Sequence, residues 1–162
     1  MDRAEVRVLL EDIAARVETV ARLHRMLSQS YRSALVDLGV YLRELCASLT
    51  GALSPSARVH ISHHTEDVCA LPPDEVLTLG MLMSELVTNS VLHGGPPVVV
   101  AVDCDGNELQ VRVRDGSPTM PAPRSAQQSD ENGRGLALVA EMSADWGVDP
   151  EPDGKHVWFV IR

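Results

Sequence analysis

The sequence predicts an α+β fold in which helices cover one face of a mixed sheet, preceded by a helical hairpin. Residues 4–29 repeat apolar side chains in alternating steps of four and three, which is typical of a helix with a heptad seam. Residues 97–103 and 109–114 are valine-rich and flank an Asp-Gly pair, so they predict a β-hairpin. Helical and strand patterns then alternate through the rest of the chain, as expected for a layer of helices on a sheet.

The first 54 residues are predicted to form a separate unit. Residues 36–53 follow the heptad segment and again place leucines on one helical side. A long apolar seam needs a partner, which is either the chain's own second domain or a helical bundle. The length of the repeat favours the bundle, and we expect a homodimer formed through residues 4–54.

Residues 55–162 are predicted to form the second domain. A strand at 58–64 precedes an apolar helix at 77–95, and the hairpin follows. A helix at 136–146, a turn around residues 149–154 and a last strand at 156–161 complete the order. Residues 117–132 have no apolar periodicity and are long enough to form a lid.

Composition limits the possible partners. The net charge of −9 argues against a general binder of nucleic acid or anionic membranes, because phosphate backbones require a basic face. A nucleotide that binds through backbone amides and a metal ion is still compatible with this charge. The three cysteines are far apart and predict reduced thiols in a cytoplasmic protein. No apolar run reaches the ~18 residues of a membrane span, so no membrane contact is expected within this chain.

Polar residues interrupt the apolar helix at a regular spacing. Glu85, Asn89 and His93 are four residues apart and would lie on one helix face. Buried polar groups are costly unless a polar partner meets them, which predicts a ligand, a metal ion or a polar core network. Glutamate and asparagine one turn apart suit a general base beside an oxygen ligand for Mg²⁺.

Two further motifs follow in the chain. Asp115 and Gly116 end a predicted strand, where an aspartate either caps a turn or accepts a hydrogen bond from an exocyclic amine. Gly133 and Gly135 open a helix, where they form a tight turn or expose amides to phosphate oxygens. Arg134 between them could contact phosphate or remain solvated. The three motifs in this order favour a nucleotide pocket.

Residues 71–162 resemble the Bergerat-type (GHKL) ATP-binding domain of sensor histidine kinases, anti-sigma-factor kinases, gyrase B subunits and Hsp90-like chaperones. Residues 84–94, SELVTNSVLHG, look like the N box of that family. The resemblance implies a two-layer α/β sandwich with ATP and Mg²⁺ as cofactors. It implies that Asn89 coordinates the Mg²⁺ bridging the ATP phosphates, and that Glu85 is the catalytic residue that orients or deprotonates the attacking group.

The same resemblance implies the remaining cofactor-binding residues. It assigns Asp115, with the adjacent Gly116, to the adenine amino group. It assigns Gly133, Arg134, Gly135 and Leu136 to the phosphate-facing lid. It also places His93 and Gly94 where the helix ends near the nucleotide.

The first 54 residues resemble the second half of the dimerisation helices in histidine kinases of the HWE and HisKA_2 type. The similar stretches are RVETVARLHRMLSQS and VDLGVYLRELCASL. This resemblance implies transfer of the ATP γ-phosphoryl group to a histidine, on a helix outside this chain, for relay to a response regulator.

The residues leave two alternative functions open. The family's adenine motif is usually Asp-x-Gly-x-Gly, whereas residues 115–119 read DGSPT and His156 stands where a threonine often helps to bind adenine. This variant resembles anti-sigma-factor serine/threonine kinases, whose partners are a sigma factor and its antagonist. The other alternative is a non-catalytic adaptor or phosphotransfer relative with a degenerate ATP site.

Overall fold

The computed structural model describes most of residues 35–162 and selected residues before them. The described ranges are 35–52, 59–65, 70–106, 108–121 and 134–162, with residues 3, 6, 7, 10, 14, 17, 18, 21, 22, 24, 25 and 28. Of residues 50–52, 59, 61–65 and 134 it describes the backbone alone.

The described residues before residue 30 are all helical, as the heptad pattern predicts. Among them are the seam residues Leu10 and Val17, which are 59% and 62% exposed in the single chain. The helix therefore presents apolar surface that this chain leaves uncovered at these two positions.

A five-stranded mixed sheet forms the centre of the fold. Its strands are β2 (Val59–Thr65), β4 (Val98–Asp105), β5 (Glu108–Asp115), β6 (Asp145–Glu151) and β7 (Gly154–Ile161), in the order β2-β4-β5-β7-β6. β2 pairs in parallel with β4, and every other pair is antiparallel. Short strands β1 (Val36–Asp37) and β3 (Ala70–Leu71) form a separate antiparallel pair.

Three helices of the described chain accompany this sheet: α1 (Leu38–Ala52), α2 (Pro73–Asn89) and α3 (Arg134–Met142). Alternate residues of the sheet are buried against them, because successive side chains of a strand point to opposite faces. The buried set from β4, β5 and β7 is Val98, Val100, Val102, Leu109, Val111, Val113, Val157, Phe159 and Ile161. The helices contribute Leu38, Leu42, Leu45, Val76, Leu79, Leu82, Met83, Leu86 and Val139. The predicted α+β sandwich is confirmed.

The chain between α3 and β7 differs from the prediction. The helix ends at Met142 rather than at residue 146, and Asp145–Glu151 is the edge strand β6 instead of a turn. Gly147 lets β6 pair closely with β7, because a Cβ there would lie 2.7 Å from the Trp158 ring. Aspartate, glycine and proline are poor strand formers, so this strand is specified by its pairing with β7 and not by its own propensity.

The central helix starts earlier than the sequence pattern indicates. Pro73 occupies its first turn with Asp74 and Glu75, a favourable arrangement because proline lacks the unsatisfied N–H and acids interact well with a helix N-terminus. By length and composition the segment Pro73–Gly94 could cross a membrane. Most of its apolar side chains, among them Leu79, Leu82 and Leu86, are instead part of the core or pack against it, whereas Leu92 is exposed.

The cysteines correct one prediction. Cys46 is not part of a disulfide, and burial raises the pKa of its thiol to about 11. Cys104 at the end of β4 is disulfide-bonded, so the expectation of three reduced thiols is wrong at this position. Disulfide formation depends on the distance between Cα atoms in the fold, which the spacing of cysteines in a sequence does not reveal.

Candidate functional site

The polar face of α2 ends in an irregular turn. The helix continues from Asn89 as a π-helical turn, Ser90–Gly94, and stops at Gly95 with a φ of 75°. Within this turn Gly94 is buried, whereas His93 is exposed, so Gly94 lies on the inner side of the helix end. Glu85 and Asn89 are half-buried, whereas His93 is exposed. The predicted three-residue stripe therefore holds for its first two members.

Gly94 brings the end of this helix against the end of β5. A Cβ at Gly94 would lie 2.3 Å from Cγ of Asp115, a distance that no side chain could occupy. The Gly116 amide donates a hydrogen bond of 3.2 Å to the Gly95 carbonyl. Asp115 itself is 2% exposed. The helix end and the strand end thus form one site around a buried carboxylate.

The Asp115 carboxylate has a cationic partner that the sequence analysis missed. Lys155 lies opposite Asp115 in the register of β5 and β7, and its Nζ donates to Oδ1 at 2.8 Å. The backbone amide of Ser117 donates to the same oxygen at 3.0 Å. Lys155 is the only lysine in the sequence, and this was the one feature of the sequence that could have drawn attention to it. That it pairs with Asp115 follows only from the strand register.

The start of α3 lies against the polar face of α2. A Cβ at Gly135 would lie 2.6 Å from Nδ2 of Asn89 and 3.4 Å from Oε2 of Glu85. Glycine at this position therefore permits close approach of the α3 N-terminus to both polar side chains. Helix N-termini carry free amides and a partial positive charge, which favours bound anions.

His156 lies away from this site. It neighbours Lys155 in β7 and so points to the opposite sheet face, where Nδ1 is 3.1 Å from Oε1 of Glu151. Arg114 also donates to Glu151, and these two contacts lower the pKa of the Glu151 carboxyl. The β7 residue that pairs with Asp115 is therefore Lys155 and not His156.

The other predicted site residues are described in part. Gly133 and residues 122–132 of the predicted lid lie outside the described residues. Arg134 begins α3, with its side chain undescribed, and Leu136 packs partly against the core.

The residues present fit Mg·ATP. Asp115 offers a buried acceptor, and the amide of Asn89 and carboxylate of Glu85 are oxygen donors of the kind that Mg²⁺ prefers. Within the described ranges no cluster of three or more His, Cys, Asp or Glu side chains could hold a metal ion by itself.

Two family profiles match the chain. The family described as "Histidine kinase-like ATPase domain" matches residues 47–161, and the family described as "Histidine kinase" matches residues 1–53. The chain belongs to the histidine kinase family. Residues 47–161 correspond to the histidine kinase-like ATPase domain, and membership of this family implies that the chain binds ATP. The resemblance to sensor histidine kinases is thereby confirmed.

Individual relatives agree with this assignment. The chain is 32% identical over 101 residues to the signal transduction histidine-protein kinase AfsQ2 of Streptomyces coelicolor, covering 52% of this chain and 19% of that protein. The chain thus spans about a fifth of the length of this relative. It is also 34% identical over 80 residues to an uncharacterized protein of the same organism, covering 46% of this chain and 76% of that protein.

Solved structures show the same fold. The histidine kinase domain of the Erythrobacter litoralis blue-light activated histidine kinase aligns with a TM-score of 0.66 and 20% identity, covering 90% of this chain and 74% of that one. The catalytic domain of the histidine kinase ThkA aligns with a TM-score of 0.61 and 14% identity, covering 78% of this chain and 93% of that one.

Proposed function

We propose that this chain is the catalytic region of a cytoplasmic two-component kinase that transfers the γ-phosphoryl group of Mg·ATP to a histidine, for relay to a response regulator. The observation that carries the proposal is the close approach of Gly135 to Asn89 and Glu85, whose side chains lie 2.6 Å and 3.4 Å from the place that a Cβ would take. It joins a helix N-terminus, an amide and a carboxylate at one place, next to the buried Asp115.

Each of these groups has a role in the proposal. The α3 N-terminus would bind phosphate oxygens, and Asn89 would hold Mg²⁺ through its amide oxygen. Held there, the ion would supply neutralisation of phosphate charge. Glu85 orients or deprotonates the attacking imidazole, while Asp115 accepts a hydrogen bond from the base. The protein then acts by positioning and charge stabilisation, as phosphoryl transfer requires.

The two ends of the proposed site lie on one continuous helical segment. Asn89 ends α2, and Gly94 ends the π-helical turn that continues it. The base end at Asp115 and the phosphate end at Asn89 are therefore connected through this segment.

Dimerisation through residues 4–54 is part of the proposal. Leu10 and Val17 are exposed apolar residues on the heptad seam, and burying them against a second copy would remove that surface from water.

Calorimetric titration tests nucleotide binding. We expect ATP to bind in the presence of Mg²⁺ and Asn89→Ala to lose most of the Mg-dependent affinity, since it removes the metal's protein ligand. The matched control is Thr88→Ala, which changes the neighbouring half-buried polar residue of the same helix. Wild-type affinity in Asn89→Ala would contradict the proposed metal ligand, and no binding of ATP would contradict the kinase proposal.

A second test identifies the phosphorylated residue. The chain is incubated with γ-labelled ATP and a histidine-containing dimerisation helix supplied in a longer chain. An acid-labile, base-stable phosphoryl group is expected, as a phosphohistidine gives.

The anti-sigma-factor type of serine/threonine kinase is the second candidate. It is favoured by the DGSPT segment, in which Ser117 turns back so that its amide bonds the Asp115 carboxylate. For this candidate the label would be acid-stable and would appear on a protein antagonist.

A further inference from the structure

One polar residue interrupts the heptad seam of the helical segment before residue 30. His24 follows Leu10 and Val17 at steps of seven residues, and all three are helical and exposed in the single chain. His24 therefore lies on the stripe that the proposed dimer would bury. The seam positions in the sequence, of which only His24 carries a polar side chain, are Val6, Leu10, Ile13, Val17, Val20, His24 and Leu27.

The charged side chains described near His24 lie off this stripe. Arg22 contacts Glu18 at 3.4 Å, one helical turn away, and both side chains are exposed. Arg22 and Arg25 are two residues before and one residue after His24, which are spacings at which helical side chains do not face each other. The imidazole is therefore the polar group that a second copy of the seam has to accommodate.

Ser28 can support either tautomer of the His24 ring. Its Oγ donates to the His24 carbonyl at 2.7 Å and lies 3.4 Å from Nδ1. A hydroxyl group rotates and can both donate and accept, so Oγ can accept from Nδ1–H or donate to an unprotonated Nδ1. Within the described residues, Nε2 of His24 makes no hydrogen bond. Each ring can therefore offer Nε2 as an acceptor in one tautomer and as an N–H donor in the other.

A parallel, in-register dimer gives each Nε2 a partner. Two-fold symmetry places the same seam position of both helices opposite itself in such a dimer. One ring then donates its Nε2–H to the bare Nε2 of the other ring, and no charge is buried. A shift by one heptad would instead place His24 against Val17 of the second copy. The imidazole would then be buried without a polar partner, which is costly.

We propose that His24 is the specificity-determining residue of the seam, and that a hydrogen bond between the His24 side chains of two copies selects a parallel, in-register dimer. The proposal rests on the proposed function, of which dimerisation through residues 4–54 is a part. A single polar residue at a seam position selects register and oligomeric state at a cost in stability. The chain would then associate less tightly than an all-apolar seam allows, but in one arrangement.

Disulfide cross-linking of the complete chain reports the register. Val17→Cys adds a thiol on the seam, in a Cys46→Ser background because Cys46 is not part of a disulfide and would also react. The two added thiols lie opposite each other in a parallel, in-register dimer, so mild oxidation should link the chains in pairs. Arg22→Cys, at an exposed position off the seam, is the matched control. It should not cross-link, because its thiols are too far apart for a disulfide.

Substitution of His24 should change affinity and register in opposite directions. His24→Leu adds buried apolar surface and should tighten the dimer by about 10- to 100-fold, measured by sedimentation equilibrium. It also removes the preference for one register, so cross-linking through Val17→Cys should fall by about twofold or more. His24→Asn keeps a polar group that can pair with its own copy and should retain the cross-linking seen with histidine. Circular dichroism establishes that each variant is folded.

The outcomes separate this inference from the proposed function. Unchanged cross-linking in His24→Leu would overturn the inference, and so would an equal loss in His24→Leu and His24→Asn, since a polar group would then not select the register. A dimer in which Val17→Cys fails to cross-link while His24 is present would overturn it as well. These results leave the nucleotide titration, which tests the kinase proposal, unaffected. A wild-type monomer would overturn both the inference and the proposed dimer.

Discussion

Gly94 and Gly135 are the two residues whose lack of a side chain shapes the site. The neighbours of Gly94 are buried atoms of Asp115, which Lys155 and Ser117 hold in place. The nearest neighbour of Gly135 is the amide end of the half-buried Asn89, which can rotate. The same substitution to alanine should therefore have different consequences at the two positions.

Gly94→Ala should destabilise the fold. The new methyl group would overlap Asp115, and because that side chain is pinned, the helix end or the strand end must shift. Overpacking of this kind costs about 1–3 kcal/mol in the free energy of unfolding. Urea denaturation measures the loss, and nucleotide affinity should fall with it. A variant as stable as the wild type would show that Asp115 is free to move.

Gly135→Ala should affect binding rather than stability. Alanine favours a helix by about 1 kcal/mol over glycine, which offsets the cost of moving the Asn89 amide. We therefore expect an unchanged or higher melting temperature together with weaker Mg·ATP binding, measured by thermal unfolding and calorimetry. Ala137→Gly at an exposed position of α3 is the converse control, with lower stability and unchanged affinity. If Gly135→Ala bound Mg·ATP as tightly as the wild type does, this would contradict the proposed contact between Asn89 and Mg·ATP.

The outer face of the sheet is stabilised by contacts between strands β5, β6 and β7. Arg114 of β5 and His156 of β7 both bond Glu151 of β6, and Nε1 of Trp158 donates to Asp149 at 3.0 Å. These contacts hold the edge strand, whose own residues are poor strand formers. Protonation of the Glu151 carboxylate should accordingly weaken the edge.

Stability is expected to depend on pH through Glu151. Its pKa is lowered in the folded state, chiefly by the hydrogen bond from Arg114 and then by that from His156. A lowered folded pKa means that the stabilisation is complete above the unfolded value of about 4.3 and is lost as the pH falls through the folded pKa. Glu151→Gln should therefore lower the melting temperature at neutral pH and have no effect in strong acid.

The control for this prediction is Glu108→Gln. Glu108 pairs with Arg162 at 2.7 Å, but both side chains are about half exposed, so solvent screens the pair. Its substitution should change the melting temperature less than that of Glu151. An equal effect of the two substitutions at pH 7, or an effect of Glu151→Gln that persists in strong acid, would argue against this account.

At the scale of the molecule, the first unit should determine the oligomeric state. Val17→Glu places a charge on the exposed seam and should dissociate a dimer, because a buried unpaired carboxylate is costly. Ala14→Glu adds the same charge at an exposed helical position off the seam and should leave the dimer intact. Light scattering after size exclusion measures the mass. A wild-type monomer, or a dimer that survives Val17→Glu, would exclude this seam as the interface.

Much of the fold could be predicted because its signals are local. Heptad steps, alternating valines and an Asp-Gly turn depend on neighbouring residues, and each produced the expected helix, strands or hairpin. Strand β6 could not be predicted in this way. Its Asp, Gly and Pro residues favour a turn, and only pairing with β7 makes them a strand.

By itself, the sequence determined the α+β class and the family, and it predicted Glu85, Asn89 and Asp115 as site residues, since periodicity and motif spacing are properties of the chain alone. The tertiary structure decided that Gly94 is buried against Asp115 while His93 is exposed, and that Lys155 pairs with Asp115. The physical reason is that the helix ends in a π turn, which the sequence pattern does not reveal, while the ion pair depends on the register of strands whose paired residues are 40 positions apart.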